Sequence, residues 1–273
     1  MAQKRRYGLV LAFCAFPFSA MADTIIPLAA HRVVYTLSLD HGGGAKAPAQ
    51  ARGKIAFDFS GTPCEGYVQN FRQITELTPS EGETRLSDML SATFESGDSK
   101  DFRYKIETKI DRASTDDIDG KAQKTADSGI AIDLGKPKAE KLARPGPVYF
   151  PTEHLRRLIE TARAGESLVE ARLFDGSGDG HKVFDTLAVI GKAAAAPASE
   201  KAAQIDALKA LRRWPVTISY FEPGMRDAPP SYTLSFDLYE NGVSRALRLD
   251  YGDFALKGEM VELTMLPIAE CKK

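Results

Sequence analysis

Beyond its first thirty residues the chain is dominated by apolar and polar positions that alternate with a period of two. Val33, Tyr35, Leu37 and Leu39 alternate with Val34, Thr36 and Ser38, and Ile55, Phe57 and Phe59 alternate with Lys54, Ala56 and Asp58. Phe102, Tyr104, Ile106 and Thr108 alternate with Arg103, Lys105, Glu107 and Lys109. Successive strand side chains point to opposite faces, so this pattern predicts strands with one face in a core. Tyr67–Leu77 has the same texture, as do 130–134, 168–174, 182–190, 216–221, 232–239, 244–251 and 254–266. About a dozen strands are therefore expected.

The separators are rich in turn formers: Asp40–Gly44, Ser60-Gly61, Glu95–Asp98, Asp175–Gly180 and Asn241-Gly242. Asn241-Gly242 lies between two alternating runs and predicts a type I′ hairpin turn, with both residues at positive φ. One helix is expected near 152–163. Pro151 and Glu153 open it, Leu155, Leu158, Ile159 and Ala162 share a face, and Gly165 follows its end. Such a helix lies against a sheet or plugs a barrel mouth. Ala193–Ala203 is Ala-rich and reads as a mobile surface excursion that leads into a short helix at 205–211. A sheet of so many strands cannot stay open and flat. The expected fold is mainly β: one long antiparallel sheet curled into a closed or nearly closed barrel, with a few short helices.

The N-terminus changes the picture of where this fold works. Lys4-Arg5-Arg6 precede an apolar run from Leu9 to Phe18, and Ala20-Met21-Ala22 offers a small-x-small site before Asp23. These are the three parts of a secretory signal peptide, and the run is too short to span a membrane. Phe13 stands where lipidation of Cys14 needs a small residue. Cleavage between Ala22 and Asp23 leaves residues 23–273 as a single domain with no transmembrane segment and a net charge of −4. Cys64 and Cys271 are then the two remaining cysteines, in an oxidising compartment that favours one disulfide. In the ideal chain-entropy model, closing a ring of about 200 residues stabilises the fold by about 5 kcal/mol.

The whole sequence has 36 Lys+Arg against 37 Asp+Glu, which lacks the basic surplus of a nucleic-acid binder. Asp175-Gly176-Ser177-Gly178-Asp179-Gly180 copies the start of a calcium loop, but Thr186 occupies the position of its bidentate Glu. A tight Gly/Asp hairpin turn is the expected reading. His31, His41, His154 and His181 have no metal-ligand spacing and read as surface or strand-end residues. Gly42-Gly43-Gly44 reads as a loop. The pair Arg212-Arg213 beside Trp214, the single tryptophan, reads as a corner with the indole in the core. Asp237, Glu240, Asp250 and Asp253 read as a solvated face. No catalytic, metal or cofactor motif emerges, and no enzyme is expected.

Several blocks together carry a resemblance. They are Ala30–Tyr35, Cys64–Tyr67 leading to Asn70–Gln73, Phe150–His154, Phe174–Ser177, Arg212–Val216, Leu238–Arg245 and the terminal Cys271. On these the chain resembles the EipB-like family of alphaproteobacterial cell-envelope integrity proteins, over essentially everything after residue 22. The resemblance implies a periplasmic protein folded as a β-spiral, an extended antiparallel sheet wound into a partly open cylinder. It also implies a disulfide from the N-terminal region to the C-terminus, matching Cys64 and Cys271. The role it implies is upkeep of the envelope under stress, with a partner of the tetratricopeptide-repeat type.

Three functions compete on this reading. The first is a non-enzymatic scaffold or binding partner for other envelope proteins, using an exposed sheet edge. The second is a carrier that holds a lipid or lipoprotein acyl chain, for which a continuous apolar inner surface would speak. The third, a hydrolase of an envelope polymer, needs two converging carboxylates in a cleft and has no motif behind it. The exported protein is expected to begin at Asp23. N-terminal sequencing of protein from the periplasm checks this, and a retained Met1 would contradict it.

Overall fold

The computed structural model describes residues 26–44, 47–267 and 271. Strands β1 (His31–Gly42), β2 (Gln50–Thr62), β3 (Gly66–Thr78), β4 (Arg85–Glu95), β5 (Asp101–Ile110), β6 (Ala113–Lys124), β7 (Ile130–Lys136) and β8 (Glu140–Arg144) come first. Helix α1 (Pro151–Ala164) follows, then β9 (Leu168–Leu173) and β10 (Phe184–Ile190). After a 3-10 turn at Lys201–Ala203 and the short helix α2 (Asp206–Lys209) come β11 (Arg213–Phe221), β12 (Tyr232–Tyr239), β13 (Ser244–Asp250) and β14 (Phe254–Met265).

All fourteen strands form one sheet, in the order β8-β7-β6-β5-β4-β3-β2-β1-β14-β13-β12-β11-β10-β9. The first and last strands pair antiparallel at its middle, from His31 opposite Met265 to Gly42 opposite Phe254. Two meanders grow outward from that pair. Their free edges, β8 and β9, are consecutive in the chain and joined through α1. Strand twist accumulates over fourteen strands and curls the sheet until these edges approach. No ladder closes them. A single parallel bridge does so: the Tyr149 N–H donates to the Arg172 carbonyl at 2.8 Å and the Phe174 N–H to the Tyr149 carbonyl at 3.0 Å.

β4, β6 and β8 were not legible as strands. In β6 only Ile118 and Ala122 are buried, and β4 turns Leu90 outward while Ser91 and Thr93 face in. Their neighbours hold them in register instead. The Asn241-Gly242 turn also differs from expectation. Gly242 is at φ 91 and Asn241 is not in the left-handed region. The Gly242 N–H donates to the Tyr239 carbonyl and the Tyr239 N–H to the Val243 carbonyl. This is a turn closed by a glycine bulge rather than type I′.

Helix α1 forms where the sequence placed it. Pro151 opens it, the Glu153 carboxylate accepts the Phe150 N–H at 3.2 Å, and Gly165 at φ 78 ends it. It buries Leu158, Ile159 and Ala162 with Phe59, Tyr67, Trp214 and Leu238, closing one end of the curled sheet. Each large apolar side chain so buried contributes about 1.5–3 kcal/mol.

The stretch at 193–203, expected to be a surface excursion, is docked on the sheet through its second half. Ala198 and Ala203 pack with Tyr35, Leu37, Leu249 and Met260, and Glu200 is buried. Glu200 pairs with the buried Arg245, whose other nitrogens reach Asp237 at 2.8 Å and Ser199 at 2.9 Å. Its second carboxylate oxygen accepts the Met260 N–H at 2.7 Å and the Ala246 N–H at 3.2 Å, where β13 leaves β14. The period-2 pattern carried no sign of this, because one charged residue in an Ala-rich run does the anchoring.

Cys64, in the β2–β3 turn, and Cys271, beyond β14, are joined by a disulfide with Cα atoms 5.8 Å apart. Reducing it is expected to lower the melting temperature by several degrees to ~10 °C, from a loss of about 2–5 kcal/mol. The Cys64→Ser and Cys271→Ser variants should each match that loss, and the double variant should add nothing. An unchanged melting curve on reduction would contradict this. Glu200→Ala is expected to cost about 2–4 kcal/mol, since it removes one of the two carboxylates on the buried Arg245 and leaves the Ala246 and Met260 N–H groups unpaired. Chemical denaturation measures this, and a loss under 1 kcal/mol would contradict it.

Candidate functional site

Register brings the inward side chains into rows around the curl. One row joins Phe57, Phe71, Ser91, Ile106 and Ile118 across β2 to β6. The next row toward α1 joins His31, Phe59, Gln69, Thr93 and Tyr104. The row on the far side joins Gln73, Met89, Thr108 and Asp116. Facing these rows stand Ile218 and Tyr220 of β11 and Leu234 and Phe236 of β12. All of these residues but Gln73 and Tyr104 line a cavity of about 570 Å³ with α1 as its floor, through Pro151, His154, Leu155 and Leu158. Its lining is mostly apolar, the common composition of small-molecule sites.

The β9–β10 connection forms part of the wall. It is a ten-residue loop, 174–183, rather than a tight turn. The Tyr104 hydroxyl donates to the Gly180 carbonyl at 2.6 Å, and a Cβ at Gly176 would lie 2.4 Å from the Tyr104 ring. Glycines at 176, 178 and 180 all sit at positive φ, so the motif lets backbone lie flat on β5. Its carboxylates serve the loop itself: Asp175 accepts the Ser177 N–H at 2.9 Å and Asp179 the His181 N–H at 3.3 Å. Among the described residues no acidic, His or Cys cluster has the arrangement of a metal site. Phe174 fills the seam behind the loop, against Phe102, Tyr104 and Phe150. Asp116 and Gly178 are the exposed lining residues and mark where the cavity opens.

His31 does stand at a strand end, opening β1, but is buried there, and His154, read as a surface or strand-end residue, is buried in α1; both line the cavity. His31 is 3% exposed, its Nδ1 is 2.7 Å from the Ala29 carbonyl, and burial lowers its pKa. His154 is 4% exposed, and burial, helped by Arg157, lowers its pKa to about 4. Both are neutral at pH 7. His41 is exposed, and His181 is half-buried, 3.1 Å from Asp179.

Glu95 was read only as part of a turn, yet it is 1% exposed. It accepts the Thr152 N–H at 2.6 Å, the Glu153 N–H at 2.9 Å and the Ser99 hydroxyl at 2.9 Å. A carboxylate on free helix N–H groups is the favourable match of charge to helix dipole. Burial pushes its pKa up, against these hydrogen bonds. Glu95 thus locks the floor helix to β4.

Three of the four carboxylates read as a solvated face are arginine partners. Asp237 is held by Arg213 at 3.1 Å and Arg245 at 2.8 Å, Glu240 by Arg212 at 3.2 Å and Asp250 by Arg248 at 2.7 Å. Asp253 is exposed, and its carbonyl accepts the Gly43 and Gly44 N–H groups. Neither Asp237, Glu240, Asp250 nor Asp253 lines the cavity. Trp214 is buried as expected, with the Arg212 guanidinium 5.3 Å above its ring. The expected cleavage site, Ala22 and Asp23, lies outside the described residues.

A model of the EipB-like family matches residues 22–267. The chain is 36% identical over 255 residues to the cell envelope integrity protein EipB of Brucella abortus (strain 2308), covering 93% of this chain and 90% of that one. It also matches the crystal structure of a beta-barrel-like protein of a domain of unknown function from Brucella abortus. That match has a TM-score of 0.84 and 35% identity, and covers 89% of this chain and all of the other.

His154 sets an expected pH dependence. Its pKa is about 4 in the folded protein and about 6.5 unfolded, so between these values the unfolded chain binds the proton that the fold refuses. Its contribution is fully present above pH 6.5 and is lost as the pH falls toward 4, by up to about 3 kcal/mol. Comparing the stability of the wild type and His154→Gln across this range checks it. Parallel curves would contradict it.

Proposed function

The chain belongs to the EipB-like family, and on that footing we propose that it is a non-enzymatic periplasmic protein that maintains cell-envelope integrity by holding an apolar ligand, such as a lipid acyl chain, inside its curled sheet. The observation that carries this reading is the cavity. It is apolar along its middle row, floored by a helix and open at one side, as a carrier requires and a solid scaffold does not. The envelope role is supported by the relative's name and by the near-full-length match. The periplasm is supported by the signal-like residues 1–22 and by two cysteines placed to pair. The non-enzymatic reading is supported by how polar groups at the cavity are used. Asp175 holds its own loop, His31 bonds the Ala29 carbonyl, and Gln69 donates to the Thr152 hydroxyl at 3.2 Å.

A specific observation also favours the scaffold reading as a second role. Leu168 of the edge strand β9 and Val189 of β10 are cross-strand partners, 60% and 48% exposed. An apolar pair beside a free edge is a natural seat for a partner. The partner implied by the family resemblance is a periplasmic protein with tetratricopeptide repeats.

Ser91→Trp tests the carrier reading, since Ser91 is half-buried in the cavity's middle row. The neutral dye N-phenyl-1-naphthylamine is expected to bind the wild type and to bind this variant at least ~10-fold more weakly, as an indole fills space the ligand needs. In cells lacking the protein, Ser91→Trp should leave detergent resistance unrestored. Undiminished dye binding, or full restoration by the variant, would contradict the reading.

A further inference from the structure

On the reading that the cavity holds an apolar ligand, we infer that it also selects that ligand by charge: it takes an amphiphile whose end group carries an ammonium, held at the mouth by Asp116 and Asp175, and turns away purely anionic ends. Three observations converge on this. The first is a census of charge. Among the described residues that line the cavity, Asp116 and Asp175 are the only charged ones, and no Lys or Arg lines it. The two lining histidines are neutral at pH 7, because burial lowers both pKa values. Basic side chains close by are engaged elsewhere. Lys182, which shares a neighbouring hollow with Asp116 and Gly178, pairs with Glu222 at 3.3 Å, and Lys136 pairs with Asp117 at 2.8 Å. Two carboxylates on open surface would be solvated and idle. On the wall of a 570 Å³ apolar cavity, charge of one sign is focused by low-dielectric surroundings and raises the local concentration of its counter-charge.

The second is where these carboxylates stand. Asp116 is two residues along β6 from Ile118 of the apolar middle row, one inward step of about 7 Å. Asp116 is exposed at the mouth, and Asp175 is half-buried in the loop that carries Gly178 there. A tail lying in the row of Phe57, Phe71 and Ile106 therefore carries its end group to this acidic mouth.

The third is what surrounds Asp175. Its Oδ1 accepts the Ser177 N–H at 2.9 Å, which fixes the carboxylate against the wall with one of its two oxygens. Tyr220 lines the same cavity. Its pKa is raised first by burial and then by the Asp175 charge, so the two side chains are neighbours. Tyr220 in turn packs with Phe184 and Tyr232, at 5.9 and 5.5 Å between ring centroids. Aromatic rings beside a carboxylate suit an ammonium, which the ring quadrupole attracts and which an anionic end cannot replace. The protein already seats one cation in this cluster, the Lys182 Nζ at 5.4 Å from the Phe184 ring centroid.

Displacement of N-phenyl-1-naphthylamine at neutral pH by dodecyltrimethylammonium, by dodecanoate and by 1-dodecanol tests this, in the wild type and in the double variant Asp116→Asn, Asp175→Asn. The wild type is expected to prefer the cation to the anion. That preference should fall roughly tenfold in the variant, about what one or two charge contacts near ~4 Å give in water. The neutral alcohol should displace the dye equally from both proteins. A free alkylamine and a lipid with an ethanolamine head offer the same ammonium. Lauroyl lysophosphatidylethanolamine set against lauroyl lysophosphatidylglycerol separates these sources: a preference that the variant loses assigns the ammonium to a lipid head, and none assigns it to a free amine. A cation preference over dodecanoate that is absent, or identical in both proteins, would overturn the charge selection and leave the apolar cavity standing. Failure of every compound to displace the dye would overturn both. Should the variant fail to fold, salt decides in the wild type. Raising NaCl from ~0.02 M to ~0.5 M should weaken the cation and strengthen the anion relative to the alcohol, because salt screens exposed charge. An equal response of all three would overturn the proposal.

Discussion

The pairing of β1 with β14 is the constraint on which the rest of the molecule depends. It joins the two ends of the folded chain at the centre of the sheet, so that each meander is anchored only at its inner strand. Without this ladder there are two separate sheets, each with a free apolar face. With it there is one surface of fourteen strands, whose twist forces a curl. The curl brings β8 and β9 together, and α1, the segment that links them, falls into the end of the cylinder. The floor of the cavity is thus a consequence of connectivity. The cost is long-range order, because contacts between residues more than 200 apart must form before the sheet is whole. The disulfide between Cys64 and Cys271 lies at the same end of the sheet, tethering the tail that follows β14 to the turn that follows β2.

Two buried glutamates complete what the strands leave open. A sheet that curls around a helix must leave backbone N–H groups unpaired where regular structure stops. Glu95 takes two such groups at the start of α1, and Glu200 takes those of Ala246 and Met260 where β13 parts from β14. Ala246 sits at φ 52, which marks the local distortion. Each glutamate comes from a segment distant in sequence, so each also fixes one element against another. Charge inside this protein is therefore spent on architecture, and the cavity wall between these anchors remains largely apolar.

Much of this was legible in the sequence. Strands with a clean apolar alternation, such as β1 and β5, stand where period-2 patterning put them, and α1 runs between the Pro and the Gly that mark its ends. The strands that escaped, β4 and β6, lie where the inner face borders a cavity or the outer face is charged, so burial does not impose alternation on them. The candidate site was less legible. Ser91, Thr93 and Gln69 line a cavity only because register stacks them, and register is not written in any one strand. The burial of His31, at the strand end where it could be read, and of His154 was not legible, because a lone histidine gives no sign of which face it occupies. Glu95 and Glu200 were invisible because a charged residue in a turn or an Ala-rich run is usually solvated, and only the tertiary fold supplies their partners.

The central claim is that the curled sheet is a container whose apolar interior is occupied at work. Native mass spectrometry of the protein isolated gently from the cell envelope tests it most directly. The account predicts a bound apolar ligand, released on denaturation and absent when Ser91 is replaced by Trp. Protein that leaves the envelope with no bound ligand, in both wild type and variant, would contradict it.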